Sequence, residues 1–330
     1  MNFSLLLAVN HQLTLFCSYF SDSENAKAMM PDYHIGHLDP KSLATLLSPE
    51  SQDESSAPAP PRAVFLQPKF WNKATLSSKQ KVSSDTKVFI FTLDHPDQTI
   101  GLPVGQHLLM RLRDPSTQEA IIRAYTPISE GKTDRGELRV LVKIYYEVPG
   151  LKGGKMTQAL DSLALGSAVE FKGPIGKFEY KGKGVCLLNG RERSKKVRKF
   201  VMVCAGSGIT PIFQVLRAVV NWDTDHGDGP ECLVLDGNRV QEDILCRKEL
   251  DELVERSKGR CKVLYTLSRP EASWRGLKGR LGRALFEREV GGPPVEGDAM
   301  VLVCGPEPME KATKAAFLGM GWKEEDLLFF

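Results

Sequence analysis

The sequence predicts a β + α/β molecule: an antiparallel β-barrel followed by a doubly wound parallel sheet. Three observations predict it. Between Ala63 and about Lys183, short β-branched and aromatic runs follow at close intervals, with Gly, Pro and Asp turns between them. That pattern is the signature of a small antiparallel barrel. From Phe200 onward, apolar strands alternate with helices, which implies a parallel sheet with helices on both faces. The 330 residues suffice for two ordinary domains and a tail.

Residues 1–62 read as tail and linker. The apolar stretches of Met1 to Phe20 are interrupted by Asn10-His11-Gln12. No run approaches the roughly 20 apolar residues of a membrane span. A basic leader and a small-residue cleavage site are missing, so the segment reads as neither membrane anchor nor signal peptide. Ser23 to Met30 has helical character and stops at Pro31; Ser48 to Arg62 has the Ser, Pro, Glu and Ala composition of a linker.

Residues 63–183 make the barrel. Strands are expected at Thr86 to Leu93, His107 to Leu112, Ala120 to Tyr125, Leu138 to Tyr146 and Ala168 to Phe171. One helix, roughly Met156 to Leu163, interrupts them. Residues 184–199 form a basic connector (Arg191, Arg193, Lys195, Lys196, Arg198, Lys199). It fits either a solvated linker or a docking surface for an acidic partner. Residues 200–330 make the parallel sheet. Its strands are expected at Phe200 to Cys204, Cys232 to Leu235, Val263 to Leu267 and Met300 to Cys304. Its helices are expected at Pro211 to Val220, Ile244 to Arg256, Arg283 to Val290 and Pro308 to Met320.

The net charge of +3 is too small to argue for nucleic acid as a partner. Seven cysteines, an odd number with no C-x-x-C pair, suggest neither a disulfide framework nor a zinc site. No metal site is expected. Reduced thiols fit a cytoplasmic protein.

Four stretches carry chemistry. In Arg123-Ala124-Tyr125-Thr126, alternation along a strand puts the guanidinium and the phenol on one face. A fork of N–H donors suits a diphosphate, and a flat aromatic suits a ring system. Gly153-Gly154-Lys155-Met156-Thr157 precedes the barrel helix. Glycines and a helix start together offer N–H groups to a phosphate, although an ordinary glycine-rich loop has the same composition. Gly206-Ser207-Gly208-Ile209-Thr210-Pro211 joins a buried strand to a helix, with Pro211 suited to the first helical turn. It approaches the dinucleotide fingerprint but ends in Pro where that pattern has its last Gly. Cys304-Gly305-Pro306-Glu307-Pro308-Met309 is a second strand end in the same sheet. Ligands of such sheets sit outside the carboxyl ends of the strands. Cys304 reads either as a buried thiol or as a group set against a bound nicotinamide.

Together, in this order and at these separations, the four motifs are similar to the flavin reductase module of cytochrome b5 reductases, in the ferredoxin–NADP reductase superfamily. The resemblance covers about Ala63 to Phe330. Val142-Lys143-Ile144-Tyr145 matches the family's flavin-contacting strand, and Leu327-Leu328-Phe329-Phe330 its closing strand. Asn25 to Gly36, together with Asp236-Gly237-Asn238-Arg239 and Glu242-Asp243-Ile244-Leu245-Cys246, resembles the carboxyl-terminal part of fungal assimilatory nitrate reductases. The haem-binding His-Pro-Gly-Gly is absent, so neither haem nor molybdopterin is expected on this chain.

The resemblance implies FAD as cofactor and NADPH or NADH as electron donor, with a cytochrome b5-type haem domain as acceptor. It implies that Arg123 holds the flavin diphosphate and Tyr125 packs on the isoalloxazine. Thr126 would bond near the flavin N5, and Val142, Lys143 and Tyr145 would line the ribityl side. Gly153, Gly154, Met156 and Thr157 would serve the phosphates. Thr210 and Pro211 would lie between flavin and nicotinamide. Gly206, Gly208, Cys304, Gly305, Pro306, Pro308 and Met309 would shape the nucleotide site. Thr126, Thr210 and Cys304 stand nearest the chemistry. Arg239, with Arg269, Arg275 and Lys278, favours the 2′-phosphate of NADPH, while Asp236 and Asp243 argue for NADH. Two other functions fit the same residues: a free-standing NADH–cytochrome b5 reductase, and a non-catalytic flavin-binding module.

Overall fold

A computed structural model describes residues 64–330, except 115–116, 131–133, 151, 193–195, 224–228 and 296, together with three short strands before them. The chain divides into two compact units, Met1–Pro60 and Pro61–Phe330. In the first unit, β1 (Leu6–Val9), β2 (Gln12–Leu15) and β3 (His34–His37) pair antiparallel in that order. The helix expected at Ser23 to Met30 and the linker at Ser48 to Arg62 lie outside the described residues.

The second unit opens with the antiparallel barrel. Its strands are β4 (Asn72–Lys81), β5 (Thr86–Thr92), β6 (His107–Arg113), β7 (Ala120–Tyr125), β8 (Glu137–Lys143) and β9 (Ala168–Ile175), in the order β7-β6-β9-β4-β5-β8. After β7 the Ile128 N–H donates to the Arg139 carbonyl of β8 at 2.9 Å, curling the far edges together. β5 shows why its sequence is continuously apolar. Phe89 and Phe91 point into the barrel with Leu76, Leu108, Met110 and Phe171, while Val88 and Ile90 face the core shared with the second half. Such a two-sided strand has no polar face to alternate with. β4 has the opposite composition, buries mainly Ala74 and Leu76, and is not among the expected strands. The barrel helix α1 runs Lys155–Ser162 and sinks Met156 and Leu160 into the barrel core.

The basic connector is not bare linker. Val185–Leu188 (β11) and Arg191–Glu192 (β12) continue a meander begun by Phe178–Gly182 (β10).

The parallel sheet comprises β13 (Lys199–Ala205), β14 (Glu231–Asn238), β15 (Cys261–Leu267), β16 (Leu277–Lys278), β17 (Ala299–Cys304) and β18 (Leu327–Phe329). Their order is β16-β15-β14-β13-β17-β18, every pair parallel. The order reverses at β13, which places the crevice beside its carboxyl end. Side chains of β13 alternate: Phe200, Met202 and Cys204 enter one core, Val201 and Val203 the other. Helix α2 (Ile209–Trp222) is buried almost all round because it lies between sheet and barrel. The remaining helices are α3 (Arg247–Arg256), α4 (Arg283–Glu289) and α5 (Glu307–Gly319).

The two halves share one apolar core: Val88, Ile90, Val104, Leu141 and Phe178 of the barrel side pack with Met202, Ile212 and Leu216. Helix α2 adds polar ties. Gln214 Oε1 accepts from the Gly105 N–H at 2.7 Å, and the Arg217 guanidinium donates to the Ile128 carbonyl at 2.6 Å. The Tyr180 hydroxyl donates to buried Asp223 just beyond the helix end, and the Tyr180 ring stacks on Trp222.

Candidate functional site

A cavity of about 1060 Å³ lies between barrel and sheet. At the barrel end, β7 presents Arg123, Tyr125 and Thr126. Register sets Tyr125 opposite Leu108 and Arg123 opposite Met110. The Arg123 guanidinium is exposed and, among the described residues, donates to the neighbouring Ile122 carbonyl at 2.7 Å. Arg123 is among the residues lining the cavity. Tyr125 is half-buried, and burial pushes its phenol up to about 12 despite the Arg123 charge. It stays neutral at ordinary pH. The Thr126 hydroxyl makes no hydrogen bond among the described residues.

Helix α1 is aimed at the same space. Its N-cap, Gly154, has no side chain to satisfy the first-turn N–H groups, so these donors are open to an anion. The helix is stitched to the end of β8: Gly154 N–H to Tyr145 O at 2.8 Å, and Tyr145 N–H to Thr157 Oγ1 at 3.2 Å. A Cβ on Gly153 would meet Tyr145 O at 2.6 Å and Glu147 N at 2.8 Å. Gly153 therefore lets the loop press against the chain leaving β8 and does not itself line the cavity.

The sheet end is built from two strand ends in register, Cys204 beside Cys304. After β13 the chain makes one 3₁₀ turn (Gly206–Gly208) and enters α2. Gly206 has φ +54° and open space where a Cβ would project, so its backbone is accessible to a ligand. A Cβ on Gly208 would lie 2.2 Å from the Cys304 carbonyl oxygen, so only glycine lets the two turns meet. The Thr210 hydroxyl donates to Ser207 O at 3.2 Å, and Pro211 follows in the first turn. Cys304 lines the cavity, and burial with the Glu310 charge pushes its thiol up to about 12. It is a neutral thiol at ordinary pH. Gly305 donates its N–H to Glu310 at 3.1 Å, and the Met309 side chain covers the space a Gly305 side chain would need. Pro306 and Pro308 complete this wall.

Between the ends stands a group of four charges. Lys143 Nζ is 3.0 Å from Asp85 and 3.5 Å from Asp243. Arg239 bonds Asp243 through Nε at 2.8 Å and a terminal nitrogen at 3.2 Å, the latter also 3.5 Å from Asp85. Burial pulls both carboxyls up, but the cations hold Asp85 and Asp243 below the usual carboxylate range.

Asp236 behaves otherwise. It is buried behind the cavity, accepting from Asn238 Nδ2 at 2.9 Å and from the Cys204 thiol at 3.6 Å. Burial pushes it up to about 7. Asp236 thus orients Asn238, which does line the cavity, and does not itself face a ribose. Of the expected cations beyond Arg239, neither Arg269, Arg275 nor Lys278 lines the cavity; Ser268 and Arg280 do. His107, Leu141 and Phe330 also line it and carried no sequence signal beyond their strand positions. Among the described residues, no cluster of His, Cys, Asp or Glu could hold a metal, and no helix is long and apolar enough to cross a membrane.

The cavity fits an extended dinucleotide with a flat head group. It supplies an aromatic ring, two helix starts, an exposed guanidinium and a backbone turn with room above it. Family models agree: residues 73–180 match the oxidoreductase FAD-binding domain and 202–315 the oxidoreductase NAD-binding domain. The solved cytochrome b5 reductase domain of Ulva prolifera nitrate reductase is 34% identical, with a TM-score of 0.73 over 81% of this chain and 100% of that one. The chain belongs to the cytochrome b5 reductase domains of nitrate reductases.

This places it among NAD(P)H-dependent flavoprotein oxidoreductases with an antiparallel FAD-binding barrel and a doubly wound NAD-binding sheet. The Nitrate reductase [NADPH] of Neurospora crassa is 62% identical over 93% of this chain, and that of Beauveria bassiana 58% over 93%. The chain spans 31% and 34% of those proteins, about a third of their length. A 93% share exceeds what residues 64–330 supply, so the likeness extends into the first unit.

Proposed function

We propose that the chain passes electrons from NADPH through FAD to a cytochrome b5-type haem, as the reductase portion of a nitrate reductase in nitrate assimilation. The observation that carries this is the single cavity into which barrel and sheet both open. Arg123, the α1 N-terminus and Thr157 hold the flavin diphosphate, with Gly153 holding their loop in place. Tyr125 supports the ring and Thr126 bonds its edge; Val142, Lys143 and Tyr145 line the side between. Thr210 and Pro211 hold the boundary between the two rings. Gly206, Gly208, Gly305, Pro306, Pro308 and Met309 shape the nucleotide wall, and Cys304 presents a neutral thiol to the nicotinamide. FAD, when bound, supplies the conversion of a two-electron donor into single electrons. The protein's part is to align the two rings and keep water from between them, which Tyr125, Pro211 and Phe330 suit by their bulk. The FAD unit is residues 63–183, the nucleotide unit 200–330 and the tail 1–62. The chain works in the cytoplasm, in keeping with its free thiols.

NADPH is favoured over NADH by Arg239 on the cavity wall, with Ser268 and Arg280 beside the nucleotide strands. The names of the fungal relatives support the same donor. Purified protein should be yellow and bleach anaerobically with NADPH. Arg239→Ala should raise the KM for NADPH far more than that for NADH; equal effects would overturn the NADPH reading. The chain alone should reduce ferricyanide or an added cytochrome and leave nitrate untouched. A colourless protein that FAD cannot reconstitute would end the enzyme reading.

A further inference from the structure

Asp85 belongs to no motif of the sequence and lies on the barrel, in the turn between β4 and β5. Its two oxygens do different jobs. Oδ1 accepts from the Ser83 and Thr86 hydroxyls at 3.2 and 3.1 Å, fixing the carboxylate to its own turn. The Ile144 N–H donates to the Asp85 carbonyl at 2.6 Å, fixing the turn to the end of β8. Oδ2 is thereby aimed across the cavity wall, 3.0 Å from Lys143 and 3.5 Å from Arg239 of the nucleotide half. Asp243 approaches the same two cations from the other side. Two carboxylates and two cations leave the group with no net charge. The Arg239 side chain is 59% exposed, whereas those of Asp85, Lys143 and Asp243 are 21%, 15% and 10% exposed. The cation open to a ligand is therefore backed by acids that partly cancel it.

We infer that Asp85 is a specificity-determining residue: from the barrel, it lowers the preference of Arg239 for a 2′-phosphorylated dinucleotide. This rests on the reading that Arg239 meets the nucleotide. A 2′-phosphate must draw Arg239 from Asp85 and Asp243, and a free ribose hydroxyl need not. Asp85 is a positioning residue, since it acts through Arg239. Removing its charge leaves the group with one positive charge in excess, at the wall where a phosphate would settle.

The test uses FAD-loaded protein and two adenosine probes, 2′,5′-ADP and 5′-AMP, with binding read by calorimetry. Asp85→Asn should tighten 2′,5′-ADP by roughly two- to five-fold, the range of exposed ion pairs, and leave 5′-AMP within error. Asp85→Glu should return the ratio toward the parent value. The gain should shrink in 0.5 M salt. In an Arg239→Ala background, Asp85→Asn should no longer change the ratio. If Asp85→Asn leaves the ratio unchanged while Arg239→Ala still selectively weakens 2′,5′-ADP, the role of Asp85 is refuted and the NADPH reading stands. If Arg239→Ala weakens both probes equally, that reading fails and takes the inference with it. A ratio change that survives Arg239→Ala would also overturn it, because it would not pass through Arg239.

Discussion

Gly208 offers a direct test of how the two strand ends form one site. Its backbone lies at φ −64°, an ordinary helical value, so its need for glycine is steric and not conformational. A methyl group there would lie 2.2 Å from the Cys304 carbonyl oxygen and 2.6 Å from its carbon. That is about 1 Å inside normal contact, and the obstacle is backbone. Either the turn after β13 or the turn after β17 must move. Relieving such overpacking costs about 2–3 kcal/mol, which lowers Tm by roughly 5–10 °C in a domain this size. Gly206 is the internal control. It lies at φ +54° with nothing within 4 Å of a built Cβ, so alanine there bears only the left-handed cost of about 1–2 kcal/mol. Both variants should be melted with FAD bound, following the fluorescence of released flavin. Steady-state kinetics with NADPH then separates them. Gly208→Ala displaces the Cys304–Gly305 wall by about 1 Å and should lose roughly 100-fold in kcat/KM. Gly206→Ala should lose stability with a smaller kinetic effect. If Gly208→Ala matches Gly206→Ala in both readouts, the steric account of the motif is refuted.

Arg123→Ala should weaken FAD roughly 10- to 100-fold, the value of charge-assisted hydrogen bonds, measured by quenching of flavin fluorescence on titration into apoprotein; unchanged affinity would remove Arg123 from the diphosphate site. Gln214→Leu strands the buried Gly105 N–H and should cost about 1–3 kcal/mol in urea unfolding, whereas a neutral result would mean that N–H finds another partner. Asp236 gives a pH signature. The folded protein keeps its proton up to about pH 7, while the unfolded chain loses it near 3.8. The folded state then binds more protons between those values, so this group's contribution to stability falls as pH rises through that window. Asp236→Asn should flatten the fall between pH 4 and 7 in denaturant titrations, and an unaltered slope would mean that Asp236 is not its source.

Most elements were readable because their burial has a simple period. β17 and, after Lys199, β13 are apolar since both faces are covered, and α2 is buried on most of its sides because it lies between two layers. β4 was not readable for the converse reason: few of its side chains enter a core, and its polar face resembles a loop. The glycine motifs were readable because backbone sterics leave no substitute at Gly208. What escaped was whatever depends on neighbours far apart in sequence. Asp85 meets Arg239 across 154 positions, and no local pattern marks Asp85. Asp236 sits beside Arg239 in the chain yet turns inward to Asn238 and Cys204. Alternation along β14 could have separated the two, but a strand end permits either face.

The forces that join the two halves also divide in a way that bears on function. Apolar burial around α2 fixes the halves, and the ties at Gln214, Arg217 and Asp223 fix the angle of the helix. The ion group at Asp85, Lys143, Arg239 and Asp243 lies at the partly exposed edge of the cavity, where such pairs add at most about 1 kcal/mol each. It is a poor clamp and a good charge adjuster. Assembly should therefore survive its alteration, and the cavity keeps its shape while the charge on its wall changes. On the proposed role of Arg239, single exchanges at Asp85 or Asp243 should retune the choice of dinucleotide without disturbing the alignment proposed for Tyr125, Pro211 and Phe330.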